Sequence, residues 1–540
     1  VKRLPLLLAF ALFVSAVLAY GQTSRGFQVQ EATIAGIQTE FKAGRLTCHA
    51  LVEQYLRRIE AYDKKGPALN AIVQINSEAL READELDRRF KASGPAGPLH
   101  CVPMIVKDNF ETIGLQSAAG SLAMKGFIST KDAFLVQRVR SAGAIVLAKS
   151  NMAEWAFSPY ETVSSILPGY TRNPYALDRV TAGSSGGTAA AVAASFGAAG
   201  LGSDTGNSIR GPSSHQALVG IRSTMGLTSR AGVAPLSLLA DIAGPMARTV
   251  EDAVTVFQVI AGEDPDDPVT LAADYIQPGL RPGGRPTTRP DYRTGLVREG
   301  LKGARLGVLR QAYERDTTDP EIVKVFTSAI DELKRAGAIV VDPAPVDLAQ
   351  VRRVQGAGTC GGFKYDINRY LAGLGDRSPV HSLEEIVRSR SYHPSVQLRL
   401  ERAQEGTDNN GPESAACKAE GDYREQFRAA VLRTMDAHKL DAFIYPTWSN
   451  PPRLIGDLNT PHGDNSQVFS PTTGFPAVNV PMGYTRDGTL PAGMTFFGRP
   501  WDEATLIRLA YGYEQATHHR HPPSATPPLG LAASKQEIKR

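Results

Sequence analysis

The chain has 540 residues, 42% of them hydrophobic and 21% charged, with 59 basic against 55 acidic side chains and a formal net charge of +4. A chain this long holds a large buried core, and its composition excludes a disordered, collagenous or coiled-coil protein. No run of like charge is long enough to form a nucleic-acid or anionic-membrane footprint, so small molecules or peptides are the expected partners and no nucleic acid is.

Val1-Lys2-Arg3 precedes an apolar run from Leu4 to Leu18, and small residues suited to signal-peptidase cleavage follow near Ala19-Tyr20-Gly21. Residues 1–21 therefore read as a signal peptide, predicting export to the periplasm or the medium. The run is about fifteen residues, short of the roughly twenty that span a bilayer, and charged, Gly or Pro residues interrupt every later apolar stretch. No membrane partner is expected for the mature form. Thr47 is placed to cap a helix running to about Tyr62, with Leu51, Tyr55, Leu56, Ile59 and Tyr62 on one face. A second helix is expected from about Ser77 to Arg89. Short apolar strands then alternate with helices: a strand over Val102 to Val106, a helix from about Ala133 to Ser141, and a strand over Ala144 to Ala148. This alternation predicts a layered α/β sheet.

From Ala182 to Gly232 the chain is rich in Gly, Ser and Ala, interleaved with Val192, Phe196, Leu201, Ile209 and Leu218, which reads as a densely packed centre. Pro278 to Thr294 carries Pro, Gly and Arg without apolar periodicity and reads as an exposed loop. The α/β pattern resumes with Ala304 to Leu309, a helix near Glu321 to Ala336, and Ile339 to Val341. A helix over Tyr423 to His438, a strand over Ala442 to Tyr445 and a closing helix over Glu503 to Thr517 follow. His518, His519 and His521 read as part of a solvated tail. Of the four cysteines, Cys360 and Cys417 are the disulfide candidates, and buried free thiols are the alternative reading. The ten histidines form no H-E-x-x-H pair and no zinc spacing with cysteine, so neither a metal nor another cofactor is expected.

Three segments carry chemistry. Gly183-Ser184-Ser185-Gly186-Gly187 places two hydroxyls between glycines before an Ala-rich helix. Asp204-Thr205-Gly206-Asn207-Ser208-Ile209-Arg210 follows a short strand and offers a serine on a turn whose successive amides can converge on one point. Pro103 to Asn109 puts Lys107 at the end of an apolar strand, where desolvation would lower its pKa. Each segment alone has a plainer reading, as a tight turn, a helix cap or a solvent-facing lysine. The Gly/Ser run is not a phosphate-binding loop, because the required Lys is missing.

Taken together and in this order, the segments resemble the amidase signature family of serine hydrolases. That family places a catalytic Lys in P-x-x-V-K-D, a relay serine in G-S-S-G-G and a nucleophile in T-G-x-S-I-R, and the interval from Ser184 to Ser208 is the family's 24 residues. The resemblance extends to Leu46-Thr47, Arg58 to Asp63, Gly97 to His100, Ala142 to Ile145, Gly474 to Ala477, Pro491 to Met494 and Glu514 to Ala516. It implies one α/β domain over residues 28–535, built on a mixed, twisted sheet flanked by helices. Within it, a catalytic core would occupy about 95–262 and a substrate-shaping second half about 300–520.

It also implies that Ser208 attacks, Ser184 carries the proton through a cis Gly183–Ser184 peptide, and Lys107 is the base, once burial has brought its ordinary pKa of about 10.4 down towards neutrality. The amides of Thr205, Gly206, Asn207 and Ser208 would form the oxyanion hole, with Ser185, Asp204 and Arg210 in support. The substrate would be a small carboxamide or a C-terminally amidated peptide, as for exported peptide amidases. Aryl amides, carbamates and esters suit the same triad, and an amidotransferase subunit or a non-catalytic binding relative are further alternatives. Asn207 in place of a frequent Gly, Cys101 in place of a Gly, Arg222-Ser223 in place of Lys-Pro, and His215 depart from the family pattern. The loops expected to shape the pocket are Ser158 to Tyr170, Gly356 to Asn410, and Tyr445 to Gln467 with Trp448.

Overall fold

The computed structural model describes residues 27–157, 160–271, 281–286, 288–354, 359–406 and 411–530. The segment read as a signal peptide, part of the Pro278 to Thr294 loop and the ends of two of the loops expected to shape the pocket lie outside them. Eleven strands form one mixed sheet: β1 (Ile72–Ile75), β2 (Pro103–Lys107), β3 (Ile145–Ser150), β4 (Ala199–Asp204), β5 (Val219–Arg222), β6 (Ile242–Ala247), β7 (Arg305–Val308), β8 (Ile339–Val341), β9 (Ala442–Pro446), β10 (Ala477–Thr485) and β11 (Leu490–Phe497). Their order is β1-β3-β2-β4-β6-β5-β10-β11-β9-β7-β8. β2 runs parallel to both β3 and β4, and β7 runs parallel to both β8 and β9. An antiparallel block of β6, β5, β10 and β11 joins the two parallel ends. This is the expected α/β architecture, a single mixed sheet surrounded by helices.

The helices form where capping and apolar spacing agree. Thr47 accepts the N–H of Ala50 and starts Cys48–Tyr62, which buries Leu51, Val52, Tyr55 and Ile59. Asp319, followed by Pro320, caps Pro320–Arg335, and Thr249 caps Val250–Ile260. Gly186–Ala193 is an exception: every residue of it is buried, so it carries no polar face and lies across the middle of the sheet beside β2, β4 and β6. Lys107 ends β2 and Asp204 ends β4, so the parallel strands present their carboxyl ends side by side, where loops gather. A separate apolar cluster joins Met152, Trp155 and Phe157 to the helices Phe363–Leu374, Leu383–Ser389 and Pro394–Glu405.

Two local expectations are corrected. Cys48 and Cys101 are paired as well as Cys360 and Cys417, because the start of the Cys48–Tyr62 helix docks on the turn that feeds β2. The C-terminal segment, though largely exposed, is tied to the body of the protein and is not a free tail. His519 Nε2 lies 2.8 Å from Glu332, His521 stacks on Tyr484 at 4.0 Å, and Arg520 binds Glu31 through two 2.8 Å contacts. The described part of the Pro278 to Thr294 loop is exposed along most of its length, as expected, and is pinned where Arg281, Arg285 and Arg289 donate to the carbonyls of Leu271, Gly226 and Ala261 and where Tyr292 is buried.

Candidate active site

All five residues of β2 are buried, and Lys107, its last, has no solvent exposure. Its ammonium donates to Ser184 Oγ at 2.7 Å and to Ser203 Oγ at 2.8 Å. Burial lowers its pKa to about 7, against the opposing pull of the Asp241 and Asp204 carboxylates. The neighbouring Asp108 is turned away: it accepts the amide of Gly120 at 2.8 Å, and its charge acts on Lys149.

Ser184 follows a cis Gly183–Ser184 peptide and a left-handed Ala182 at φ 56°. The glycines behind it are steric necessities. A Cβ on Gly186 would stand 2.1 Å from Thr162 Oγ1, and one on Gly187 would stand 2.2 Å from the carbonyl oxygen of Asn151. Ser185 ties this loop to the next: its amide donates to the carbonyl of Ser208 at 3.3 Å and its hydroxyl to the carbonyl of Ser203 at 3.1 Å. The two serine segments thus share one set of hydrogen bonds beside Lys107.

The second segment is braced from below. Asp204 accepts from Arg210 Nε at 3.1 Å, Arg222 Nη1 at 3.0 Å and the amide of Ile209 at 3.1 Å. Burial would raise its pKa, yet the two guanidinium groups hold it at about 2. Arg222, a departure in the sequence, is thereby accounted for as a second cation on Asp204. Arg210 Nη2 also donates to the carbonyl of Gly206 at 2.6 Å, and Thr205 Oγ1 donates to Asp241 at 2.5 Å. Among the described residues, no protein acceptor takes the N–H groups of Thr205, Gly206, Asn207 or Ser208. A turn whose carbonyls and side chains are bound while its amides stay free can receive a negatively polarised oxygen.

The structure therefore brings Lys107, Ser184, Ser185, Asp204, Ser208 and Arg210 into one place. Sequence reasoning missed Ser203, Asn109 and Asp241, which surround the lysine and the turn; Asn109 Nδ2 donates to Ser203 Oγ at 3.1 Å. It also missed Asp464, which accepts Asn207 Nδ2 at 2.7 Å. Nothing in the residue pattern singles these out, because they are separated from their partners by long stretches of chain. Of the pocket loops, Tyr160 and Trp448 pack edge to face at 6.2 Å, and Trp448 lies 4.9 Å from the His215 ring. Burial holds His215 at about 3, so it stays neutral. Phe363, from the Gly356 to Asn410 stretch, packs on Phe157 at 4.6 Å.

A family model described as Amidase matches residues 50–507. The chain belongs to the amidase signature family. A probable amidase of Arabidopsis thaliana is 34% identical over 93% of each chain. A glutamyl-tRNA(Gln) amidotransferase subunit of Symbiobacterium thermophilum is 32% identical over 90% of this chain and 97% of the relative. The X-ray structure of native peptide amidase from Stenotrophomonas maltophilia superposes with a TM-score of 0.77 at 34% identity, covering 93% of this chain and 99% of the other. As a member of this family the protein is an amidase, an enzyme acting on amide C–N bonds. Cys48, His100 and Cys101 form the one Cys/His/Asp/Glu cluster of metal-binding dimensions among the described residues, and its two sulfurs are spent on each other as a disulfide. No helix among the described residues is long and apolar enough to cross a membrane.

Proposed function

We propose that this amidase hydrolyses carboxamides through a Ser208–Ser184–Lys107 triad and an acyl-enzyme intermediate, with a C-terminally amidated peptide as its substrate class. The observation that carries this reading is the fully buried Lys107, lowered to about 7 and 2.7 Å from Ser184 Oγ. Neutral Lys107 takes the proton of Ser184, Ser184 takes that of Ser208, and Ser208 Oγ bonds to the substrate carbonyl carbon. The carbonyl oxygen, now anionic, is received by the free amides of residues 205–208. The proton then returns through Ser184 to the leaving nitrogen, the C–N bond breaks and ammonia departs. Water, deprotonated by the same relay, releases the acid and restores Ser208.

The substrate class rests on the likeness to a peptide amidase across nearly the whole chain. Two disulfides support an exported protein, since such bonds persist in oxidising compartments. The same two bonds weigh against an amidotransferase component working in a reducing cytosol.

The test is hydrolysis of a panel containing an amidated dipeptide, the corresponding unamidated peptide, an anilide, an aliphatic amide and a carbamate, with Ser208→Ala alongside. Ammonia release from the amidated dipeptide and a loss of at least about 10³-fold in Ser208→Ala are expected. Turnover that survives in Ser208→Ala overturns the triad. Preference for the anilide or the carbamate overturns the substrate class alone.

A further inference from the structure

The turn that carries Ser208 is gripped from the second half of the chain by side chains that no motif connects to it. Asp464 accepts Asn207 Nδ2 at 2.7 Å on one carboxylate oxygen and Gln467 Nε2 at 2.6 Å on the other, while the amide of Ser466 adds a third donor at 2.9 Å. Gln467 in turn lies against Gly206: a Cβ built there would stand 2.2 Å from Gln467 Oε1. One buried carboxylate thus holds the side chain of Asn207 and a side chain seated on Gly206, two consecutive residues of the turn.

The carboxylate is itself firmly placed. Asn465, beside it, donates through Nδ2 to the carbonyl of Pro446 at 2.7 Å and accepts the hydroxyl of Ser449 at 2.8 Å, and Trp448 forms a β-bridge with Asp464. The grip is therefore anchored at the end of β9, a strand in the half of the sheet remote from Lys107.

We propose that Asp464 is a positioning residue for the reaction: by holding Asn207 and Gln467 it sets the spacing of the turn amides that face the reacting carbonyl. This rests on the reading of Ser208 as the nucleophile. The physical need follows from Asn207. A glycine at that position would leave nothing to hold. A carboxamide side chain in a buried place requires a partner for its N–H groups, and the only acceptor it meets among the described residues is Asp464. Two donors converge on one oxygen of that carboxylate and a third on the other, so an Asn there keeps an acceptor for one of the two sets at most and loses the charge that strengthens all three bonds. Small displacements of oxyanion donors are costly because their effect depends on lying within hydrogen-bond distance of the developing charge.

The experiment is a double-mutant cycle of Asp464→Asn and Asn207→Gly in the full chain. It is read by kcat and KM on an amidated dipeptide, by inhibition with the matching peptide aldehyde, whose hemiacetal oxygen occupies the oxyanion position, and by the rate of fluorophosphonate labelling at Ser208. Asp464→Asn is expected to lower kcat about 30-fold with KM changed less than about threefold, and to weaken the aldehyde and slow labelling by similar factors. In the Asn207→Gly background the same substitution is expected to cost less than about threefold. Gln467→Ala removes an exposed side chain and is expected to slow labelling about threefold, which keeps the proposal testable if Asp464→Asn does not fold. An equal loss in both backgrounds, a fall in kcat without weaker aldehyde binding, or full activity in Asp464→Asn and Gln467→Ala overturns the positioning role. Absence of labelling at Ser208 in the unsubstituted enzyme overturns the nucleophile instead, and the positioning role with it.

Discussion

Two lysines end up without solvent exposure on adjacent strands, Lys107 on β2 and Lys149 on β3, and burial lowers both, to about 7 and about 8. The strand register pairs Lys107 with Ser150 and Lys149 with Val106, so the two side chains leave opposite faces of the sheet. Their surroundings differ in one chemical respect. Lys149 donates to the carbonyl of Phe110, to Thr112 Oγ1 at 3.3 Å and to Ser117 Oγ at 3.2 Å. Both of those hydroxyls have already given their protons to the Phe110 carbonyl, at 3.1 and 3.0 Å. Lys149 therefore faces lone pairs only, and Asp108 favours its charged form. Lys107 faces Ser184, whose hydroxyl proton is available to it. A depressed pKa is common to both sites; a proton to collect belongs to one.

Three substitutions test this contrast. Lys107→Met is expected to lower kcat/KM by on the order of 10³-fold while the protein still unfolds cooperatively in urea. Lys149→Met is expected to do the reverse, costing about 3 kcal/mol of stability, because Asp108 and the Phe110 carbonyl lose their cation, with turnover per folded molecule changed by less than about tenfold. A K149M enzyme as inactive as K107M would break the comparison. The smallest effect sharpens it. On the proposed triad Lys107 must be neutral to accept a proton, so kcat/KM should fall about tenfold per pH unit below about 7, as Lys107 becomes charged. Asp241 favours the ammonium, and Asp241→Asn removes that pull, so the acid limb should move to lower pH. A limb that stays in place or moves upward would show that Asp241 does not act on Lys107.

What could be read in advance divides along similar lines. Lys107, Ser184 and Ser208 were legible because each sits in a short motif with fixed spacing, β2 from its apolar run, and the Cys48–Tyr62 helix from its Thr47 cap and apolar face. Ser203 was not, since a lone serine one residue before the signature aspartate carries no mark of facing a lysine 96 residues earlier. The Cys48–Cys101 pair was missed for the same reason: two cysteines 53 residues apart show nothing of the helix docking that joins them. Arg520 reads as tail, and only the folded chain shows it against Glu31 and the carbonyl of Ala217. Spacing along the chain reports local chemistry, whereas these contacts are set by how helices and termini pack against the sheet.

The glycine-lined centre bears on how such an enzyme changes over generations. At Gly186, Gly187 and Gly244 even one added carbon would fall within 2.3 Å of an existing atom, at Gly187 and Gly244 a backbone oxygen, so substitutions there have almost no route to acceptance. The helices Leu383–Ser389 and Pro394–Glu405 bury only two residues each. These two helices therefore have room for substitution that the packed glycine centre beside Lys107 lacks, and inherited change is expected to collect in them first.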